Sequence, residues 1–201
     1  MRRALVGWAV LAGALAVGAL SFAGGPAESA DETAAFDQLL KLLAERHHDH
    51  VTFTEVQQLA ILDQPLHSSG ELLYDAPDRL EKRTLAPRRE DLVLEHGMLS
   101  VERGHHRRSV ALRDFPQAVP FVESVRATLA GDRAALMRYF TVQFSGTLGR
   151  WTLELTPSDA TLKRTVEHVL ITGETDQIRT VQIRQSDGDT STLTIGPAVA
   201  P

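Results

Sequence analysis

The feature that most restricts the possible folds of this chain is a series of short segments with alternating polar and apolar residues. Each segment ends in turn residues. His96-Gly97 and Asp187-Gly188-Asp189 are two such turns, and each separates two strand-like segments. Regular spacing of this kind predicts an antiparallel sheet and disfavours alternating strand–helix units. The sheet should hold about ten strands, drawn from residues 51–62, 71–74, 79–84, 90–95, 99–103, 107–113, 141–148, 150–157, 166–172, 177–186 and 190–195.

Two other segments have helical periodicity. The first covers 31–50, and the second covers 116–130, where Gly131 is a natural stop. Further helical turns are predicted over 134–139 and 158–162. The apolar stripe of the first helix consists of Phe36, Leu39, Leu40 and Leu43.

These elements together predict one architecture. A continuous antiparallel sheet of about ten twisted strands tends to curl, and its concave face then needs an apolar cover. The two helices with apolar stripes can supply that cover. The predicted fold class is therefore mainly β (α+β), an incomplete, unclosed antiparallel β-barrel with an N-terminal helix and a central helical lid.

The first residues have the pattern of a secretory signal peptide. Arg2 and Arg3 precede a short uncharged apolar run, and Ser21 and Ala23 supply the small residues that a cleavage site needs. An uncleaved N-terminal anchor is the alternative, and either interpretation places the domain outside the cytoplasm. The predicted division is a signal peptide over 1–23, a linker over 24–30, a single domain over 31–196 and a tail over 197–201.

Composition excludes several classes of protein. The chain has no cysteine, so it has neither disulfides nor thiolate chemistry, and it offers no cysteine for lipid attachment. Cleavage after Ala23 would leave 178 of 201 residues, with 19 of the 21 basic residues against 26 acidic ones. This balance argues against a nucleic-acid partner. The length fits a single domain, and we expect a monomer.

Catalytic and metal-binding motifs are lacking from the sequence. It contains no Gly-x-Ser-x-Gly elbow, no Gly-rich phosphate loop and no His-Glu-x-x-His motif. The histidines near residues 47–50 and at His105-His106 lack the spacing of a preformed pair of metal ligands. We therefore expect a protein that is not an enzyme, with no catalytic residue, no metal and no cofactor.

Four short motifs, taken in order, carry a resemblance to a known family. They are Val51-Thr52-Phe53-Thr54-Glu55 after the first helix, Gly70-Glu71-Leu72-Leu73-Tyr74 before Pro77, Glu95-His96-Gly97-Met98-Leu99, and the closing strands around Asp187-Gly188-Asp189-Thr190. In order and spacing they resemble the LolA-like periplasmic carriers of outer-membrane lipoproteins. The resemblance extends from about residue 36 to residue 195.

The resemblance implies an interior pocket for acyl chains and a function in the periplasm. Such a carrier takes an acylated lipid or lipoprotein cargo from an inner-membrane exporter or release complex and delivers it to an outer-membrane acceptor. Three departures from the family pattern bear on the cargo. Ala76 stands where the family has an arginine tied to lid closure, Glu55 stands where it has a glutamine, and Leu80 and Lys82 occupy a stretch where it often has an aromatic. A lipoprotein and another acylated lipid both remain possible cargoes.

The positions expected to contact lipid are the in-phase apolar residues of the strands and the apolar stripe of the central helix. Each of them has core packing as its alternative role. The strand positions are Phe53, Leu59, Leu72, Tyr74, Leu80, Leu92, Leu94, Leu112, Phe144, Leu153 and Leu155. The lid positions are Phe121, Val122, Val125 and Leu129.

Two further hypotheses compete with transport. One is a periplasmic adaptor that docks on a membrane complex, and the other is a lipid or envelope-stress sensor that uses the same pocket. A cluster of basic residues is either a docking patch or ordinary protection of exposed strands. This cluster contains Arg79, Lys82, Arg83, Arg88 and Arg89.

Overall fold

The computed structural model describes residues 30–114 and 119–199, without the side chains of Ala30 and Phe121. The predicted signal peptide and most of the predicted linker lie outside these residues. No helix in the described ranges has both the length and the apolar character to cross a bilayer. The helices are α1 (Ala30–Ala44), α2 (Val119–Leu129), α3 (Arg133–Tyr139) and α4 (Ala160–Lys163), with a 3-10 turn at Leu112–Asp114.

Eleven strands form one antiparallel sheet. They are β1 (His48–Gln58), β2 (Leu66–Asp75), β3 (Arg79–Ala86), β4 (Glu90–Glu95), β5 (Met98–Arg103), β6 (His106–Ala111), β7 (Phe140–Thr147), β8 (Arg150–Pro157), β9 (Val166–Glu174), β10 (Gln177–Gln185) and β11 (Thr190–Ala198). Their order is β6-β5-β4-β3-β2-β1-β11-β10-β9-β8-β7. The sheet is thus two meanders joined by the pairing of β1 with β11, and it is unclosed between β6 and β7. The predicted fold class is confirmed.

The first helix is shorter than predicted. It ends at Ala44, and residues 48–50 already belong to β1, where they pair with residues 73–75 of β2. The apolar stripe ends at Leu43 and residues 45–50 are all polar, so the end of the stripe agrees with the end of the helix at Ala44. The sheet pairing decides the boundary, since it satisfies the backbone groups that a longer helix would have used. The predicted stop after α2 is confirmed, because Gly131 adopts a φ of 61° that favours glycine.

The main hydrophobic core lies on one half of the sheet. Helix α1 packs its apolar stripe against β7, and the rings of Phe36 and Phe144 are 6.0 Å apart. On β8, Trp151 is fully buried, and its Nε1 donates a hydrogen bond to the Thr175 carbonyl at 2.9 Å. Gly173 lies opposite Trp151 on β9, where no side chain fills the space of the indole. The core is therefore built from α1 and β7–β10, with Ala127 of α2 and Leu136 of α3.

Candidate lipid-binding site

A cavity of about 530 Å³ lies between the two meanders. One wall comes from β1, β2 and β3, the opposite wall comes from β10 and β11, and α2 contributes to the lining. The apolar lining includes Leu72, Leu80, Val125, Leu129, Val181, Ile183, Leu193 and Ile195. A cavity of this size and character falls in the range of sites that bind small apolar molecules.

The structure brings only some of the predicted lipid-contact positions to this cavity. Those on its lining are Leu72, Tyr74, Leu80, Val125 and Leu129. Three others, Phe144, Leu153 and Leu155, are buried in the core beside α1. Buried elsewhere are Phe53, Leu94 and Leu112, while Leu59, Leu92 and Val122 are half-buried positions outside the lining. The side chain of Phe121 lies outside the described residues, and lipid contact stays a prediction for every position.

Sequence reasoning missed the wall formed by β10 and β11. Val181 and Ile183 alternate along β10, and Leu193 and Ile195 do so along β11. This period of two was visible in the sequence and indicated one apolar face on each strand. Nothing local showed that this face lies opposite β2 and β3, because only the long-range pairing of β1 with β11 places it there.

Two buried carboxylates, those of Glu55 and Glu81, lie on the cavity lining. Glu55 is 7% exposed and accepts hydrogen bonds from Ser68 Oγ (3.0 Å), Ser191 Oγ (2.8 Å), Gln57 Nε2 (3.0 Å) and Lys82 Nζ (2.5 Å). Burial alone would raise the pKa of this carboxyl. The charge of Lys82 and the hydrogen bonds to Glu55 outweigh burial and hold the pKa of Glu55 below its usual value. The carboxylate is therefore charged and fully partnered at neutral pH.

The Glu55–Lys82 pair joins two of the departures from the family pattern. Lys82 occupies the stretch of β3 where the family often has an aromatic, and Glu55 replaces the family's glutamine on β1. The Lys82 ammonium also lies 5.1 Å from the centre of the Phe53 ring, a cation–π distance. The two departures therefore compensate each other in charge.

Charged residues surround one part of the cavity. Arg46 follows α1 and binds both Asp49 on β1 and, at 2.7 Å, Asp176 in the turn between β9 and β10. Arg179, also on the lining, donates to Glu174 at 3.3 Å. The side chains of Asp176 and Arg179 are more than two-fifths exposed. The cavity thus combines apolar walls with a charged, solvent-facing boundary, an arrangement that suits an amphiphile.

Tyr74 lies on the lining and is 3% exposed. Among the described residues, its hydroxyl is the buried side-chain polar atom that lacks a hydrogen-bond partner. Burial raises the pKa of Tyr74, and the nearby positive charge of Arg126 on α2 partly offsets that effect. An unpartnered buried hydroxyl destabilises the packing that covers it.

Two of the histidines noted in the sequence, His48 and His50, lie next to carboxylates. His48 Nδ1 is 2.5 Å from Asp75 Oδ1, and His50 Nε2 is 3.1 Å from Glu71 Oε2. Within the part of the chain that the structure describes, no group of three or more potential ligands could hold a metal ion. Each of these two histidines therefore has a single acidic neighbour.

The basic cluster separates into two groups. Arg79 binds Glu81 at 2.8 Å and Glu95 at 3.1 Å, and Arg83 also binds Glu81. With Lys82 bound to Glu55, these three cations are neutralised within the sheet. Arg88 and Arg89 are exposed and form no ion pair with any described residue.

The structure defines the class of fold as an unclosed antiparallel barrel with an apolar cavity, and the family comparison agrees. The model of the family described as "Outer membrane lipoprotein carrier protein LolA-like" matches residues 26–200. The chain therefore belongs to the LolA-like family, which confirms the resemblance based on its motifs. No curated protein gives a significant match to the sequence.

Solved structures include several of similar shape at low sequence identity. A LolA superfamily protein from Nitrosomonas europaea shares 11% identity, with 83% of this chain and 94% of that chain covered and a TM-score of 0.45. A putative outer membrane lipoprotein-sorting protein domain from Vibrio parahaemolyticus shares 11%, with coverage of 82% and 90% and a TM-score of 0.46. The MucA/MucB complex of Pseudomonas aeruginosa matches at 16%, with coverage of 82% and 58% and a TM-score of 0.42.

Proposed function

We propose that this protein is a non-catalytic lipid carrier of the bacterial periplasm. It binds the acyl chains of a lipoprotein or another lipid between β1–β3 and β10–β11. One observation carries the proposal, namely the apolar cavity of about 530 Å³, which shares the wall formed by β10 and β11 with the main core of the domain. Protein interiors are close-packed, so apolar side chains that served only to form the core would fill this space. The cavity therefore supports a role in binding.

Apolar burial supplies the binding energy. Each square ångström of hydrocarbon removed from water stabilises the complex by roughly 25 cal/mol, so an acyl chain can be held without a specific hydrogen bond. The charged boundary at Arg46 and Asp176 would then face the polar part of the lipid. Binding of this kind is reversible, which a carrier needs for delivery.

Membership of the LolA-like family supports a route from the inner to the outer membrane. An inner-membrane exporter or release complex would be the donor, and an outer-membrane component the acceptor. Ala76, where the family has arginine, leaves a lipoprotein and another acylated lipid as the two cargo classes. A sensor would use the same cavity but would not transfer lipid.

Binding is tested with the mature protein purified from a periplasmic extract. Native mass spectrometry should show an acylated species, and organic extraction should release it. Leu193→Trp places a larger side chain in the cavity and should abolish both this species and the binding of a fluorescent fatty acid. Leu92→Trp is the matched control, since Leu92 is also half-buried but lies outside the lining.

Two outcomes would contradict the carrier proposal. An apo mass together with no binding of the fatty acid would favour an adaptor. Lipid binding without transfer between donor and acceptor vesicles would favour a sensor. Turnover of a short-chain ester would contradict the non-catalytic assignment.

A further inference from the structure

One end of the sheet presents an apolar loop beside two free arginines. The β1–β2 loop and the β3–β4 loop lie at this end, because Gln57 pairs with Leu66 and Ser69 pairs with Ala86. The turn between β2 and β3 lies at the opposite end. We call the exposed apolar side chains of these two loops and the adjoining strand ends the apolar rim: Ile61, Leu62, Leu66 and Leu85.

The apolar rim is exposed to an unusual degree. Ile61 is 89% exposed, and Leu62, Leu66 and Leu85 are between 45% and 48% exposed. Single exposed aliphatic residues are normal, but several together mark a surface that contacts another molecule.

The β1–β2 loop is also held in place. The Leu62 amide donates to the Leu59 carbonyl at 2.9 Å, which closes a turn around Ile61. The Ala60 amide donates to Asp189 Oδ1 at 2.7 Å, which ties the loop to the turn between β10 and β11. Ile61 is therefore exposed to solvent while its backbone lies in a hydrogen-bonded turn.

Positive charge accompanies the apolar rim. Arg88 and Arg89 follow Leu85 in the β3–β4 loop, and neither is neutralised by a described residue. Asp63 is the acidic residue of the β1–β2 loop itself, and Glu90 beyond the arginines binds Arg103. Arg88 and Arg89 are thus two exposed cations without an ion pair next to aliphatic side chains, and the carboxylates in the neighbouring turns at this end are those of Asp63, Asp187 and Asp189.

We infer that the apolar rim docks this protein on an anionic bilayer surface. The aliphatic side chains enter the boundary between headgroups and acyl chains, and Arg88 and Arg89 contact lipid phosphates. A stable protein interface needs about 20–30 residues from each partner, many more than this patch provides. The patch therefore suits weak and reversible contact with a membrane better than a lasting protein complex.

The docking test uses flotation of the mature protein with two kinds of vesicle. One kind contains phosphatidylcholine only, and the other contains phosphatidylcholine and phosphatidylglycerol in roughly equal amounts. The wild type should float with the anionic vesicles at low salt, and high salt should release it. The double variants Ile61→Ser with Leu62→Ser, and Arg88→Glu with Arg89→Glu, should each bind roughly tenfold more weakly.

Matched controls lie away from the apolar rim. Met98→Ser removes an aliphatic side chain that is 41% exposed, close to the value of Leu62, where β5 begins at the opposite end of the sheet. Arg113→Glu with Arg150→Glu reverses two exposed charges at that same end. Both controls should float like the wild type. Leu193→Trp, which blocks the cavity, should also float normally, so failure of docking and failure of the proposed carrier function are distinguishable.

Two results would overturn the docking inference. The first is a wild type that does not distinguish anionic from neutral vesicles. The second is a set of rim variants that float as well as the controls. Either result would overturn docking of the apolar rim on an anionic bilayer, and a wild type that floats with neither kind of vesicle would leave a protein partner as the occupant.

Discussion

At the residue scale, the most informative contact is the ion pair between Glu55 and Lys82. The carboxylate is 7% exposed, and four donors surround it. A buried charge that loses its partner is strongly destabilising, so the two residues are expected to depend on each other. The Glu55 end of the pair lies on the cavity lining, where it adds a buried charge to the apolar part of the wall.

Replacing Glu55 with glutamine should lower the free energy of unfolding by about 2 kcal/mol at neutral pH, because Lys82 loses its counterion. The folded-state pKa of Glu55 is lowered. Its stabilising contribution is therefore present above the unfolded value of roughly 4.3 and is lost as pH falls through the folded value. Urea unfolding of the wild type and of Glu55→Gln, at neutral pH and at about pH 3, measures how much of the stability difference depends on the charge of Glu55.

The matched control for this substitution is Glu102→Gln. Glu102 is an exposed residue of β5 with no ion pair to a described residue, so its loss should change stability little at either pH. If Glu55→Gln lowered the free energy of unfolding by the same amount at both pH values, the stabilisation could not be assigned to the charged pair.

Gly173 provides a second prediction at this scale. A β-carbon added there would lie 2.1 Å from Cζ2 of Trp151, which is fully buried. Gly173→Ala should therefore destabilise the protein by about 1–3 kcal/mol through overpacking. Thermal unfolding measures the effect, and Gly149→Ala is the control because its added carbon meets nothing closer than 3.7 Å. Equal melting temperatures for the two variants would exclude the steric explanation.

At the scale of secondary-structure elements, α2 has two roles. Ala127 and Thr128 are fully buried, whereas Val125 and Leu129 line the cavity. Arg126 binds Glu123 at 2.8 Å within the same helix. The helix is therefore both part of the packed structure and the element that a ligand would contact directly.

Ligand binding should slow amide hydrogen exchange in α2 by about tenfold or more, because a bound acyl chain adds apolar contacts to Val125 and Leu129. Exchange in α1 should change little, since its stripe is already buried in the core. Exchange followed with and without the fluorescent fatty acid distinguishes the two helices. Equal protection of α1 and α2 would contradict a direct contact between the ligand and α2.

At the scale of the whole molecule, packing is unevenly distributed. The buried core lies with α1 and β7–β10, and the cavity lies between that half and β1–β3. The half with α1 and β7–β10 therefore contains most of the fully buried side chains, while the apolar cavity lies between the two meanders.

Because packing differs between the core and the cavity wall, a leucine-to-alanine substitution should lower the free energy of unfolding by different amounts at the two places. Leu153→Ala should destabilise the protein by about 2–5 kcal/mol, because Leu153 is fully buried in the core. Leu72→Ala, at the half-buried cavity wall, should cost less than about 1.5 kcal/mol, since less packing is lost there. Urea unfolding of both variants measures the difference. Similar losses would show that the cavity wall is packed as tightly as the core.

Much of the fold could be predicted from the sequence because its signals are local. Alternation with a period of two identified the strands, and turn residues such as those at 96–97 and 187–189 identified the hairpins. The helix stop at Gly131 was also local, since it depends on one backbone angle. The end of α1 was predicted wrongly, because pairing between β1 and β2 decided it.

The strands, the neighbouring hairpins and the mainly β class could all be predicted, because they depend on residues close along the chain. Long-range pairing determines which apolar faces form the core and which line the cavity. Leu153 on β8 and Leu193 on β11 are both leucines in strands with alternating polar and apolar residues. Leu153 is fully buried in the core, whereas Leu193 is half-buried and lines the cavity. The pairing of β1 with β11 causes this difference, because it joins segments more than a hundred residues apart.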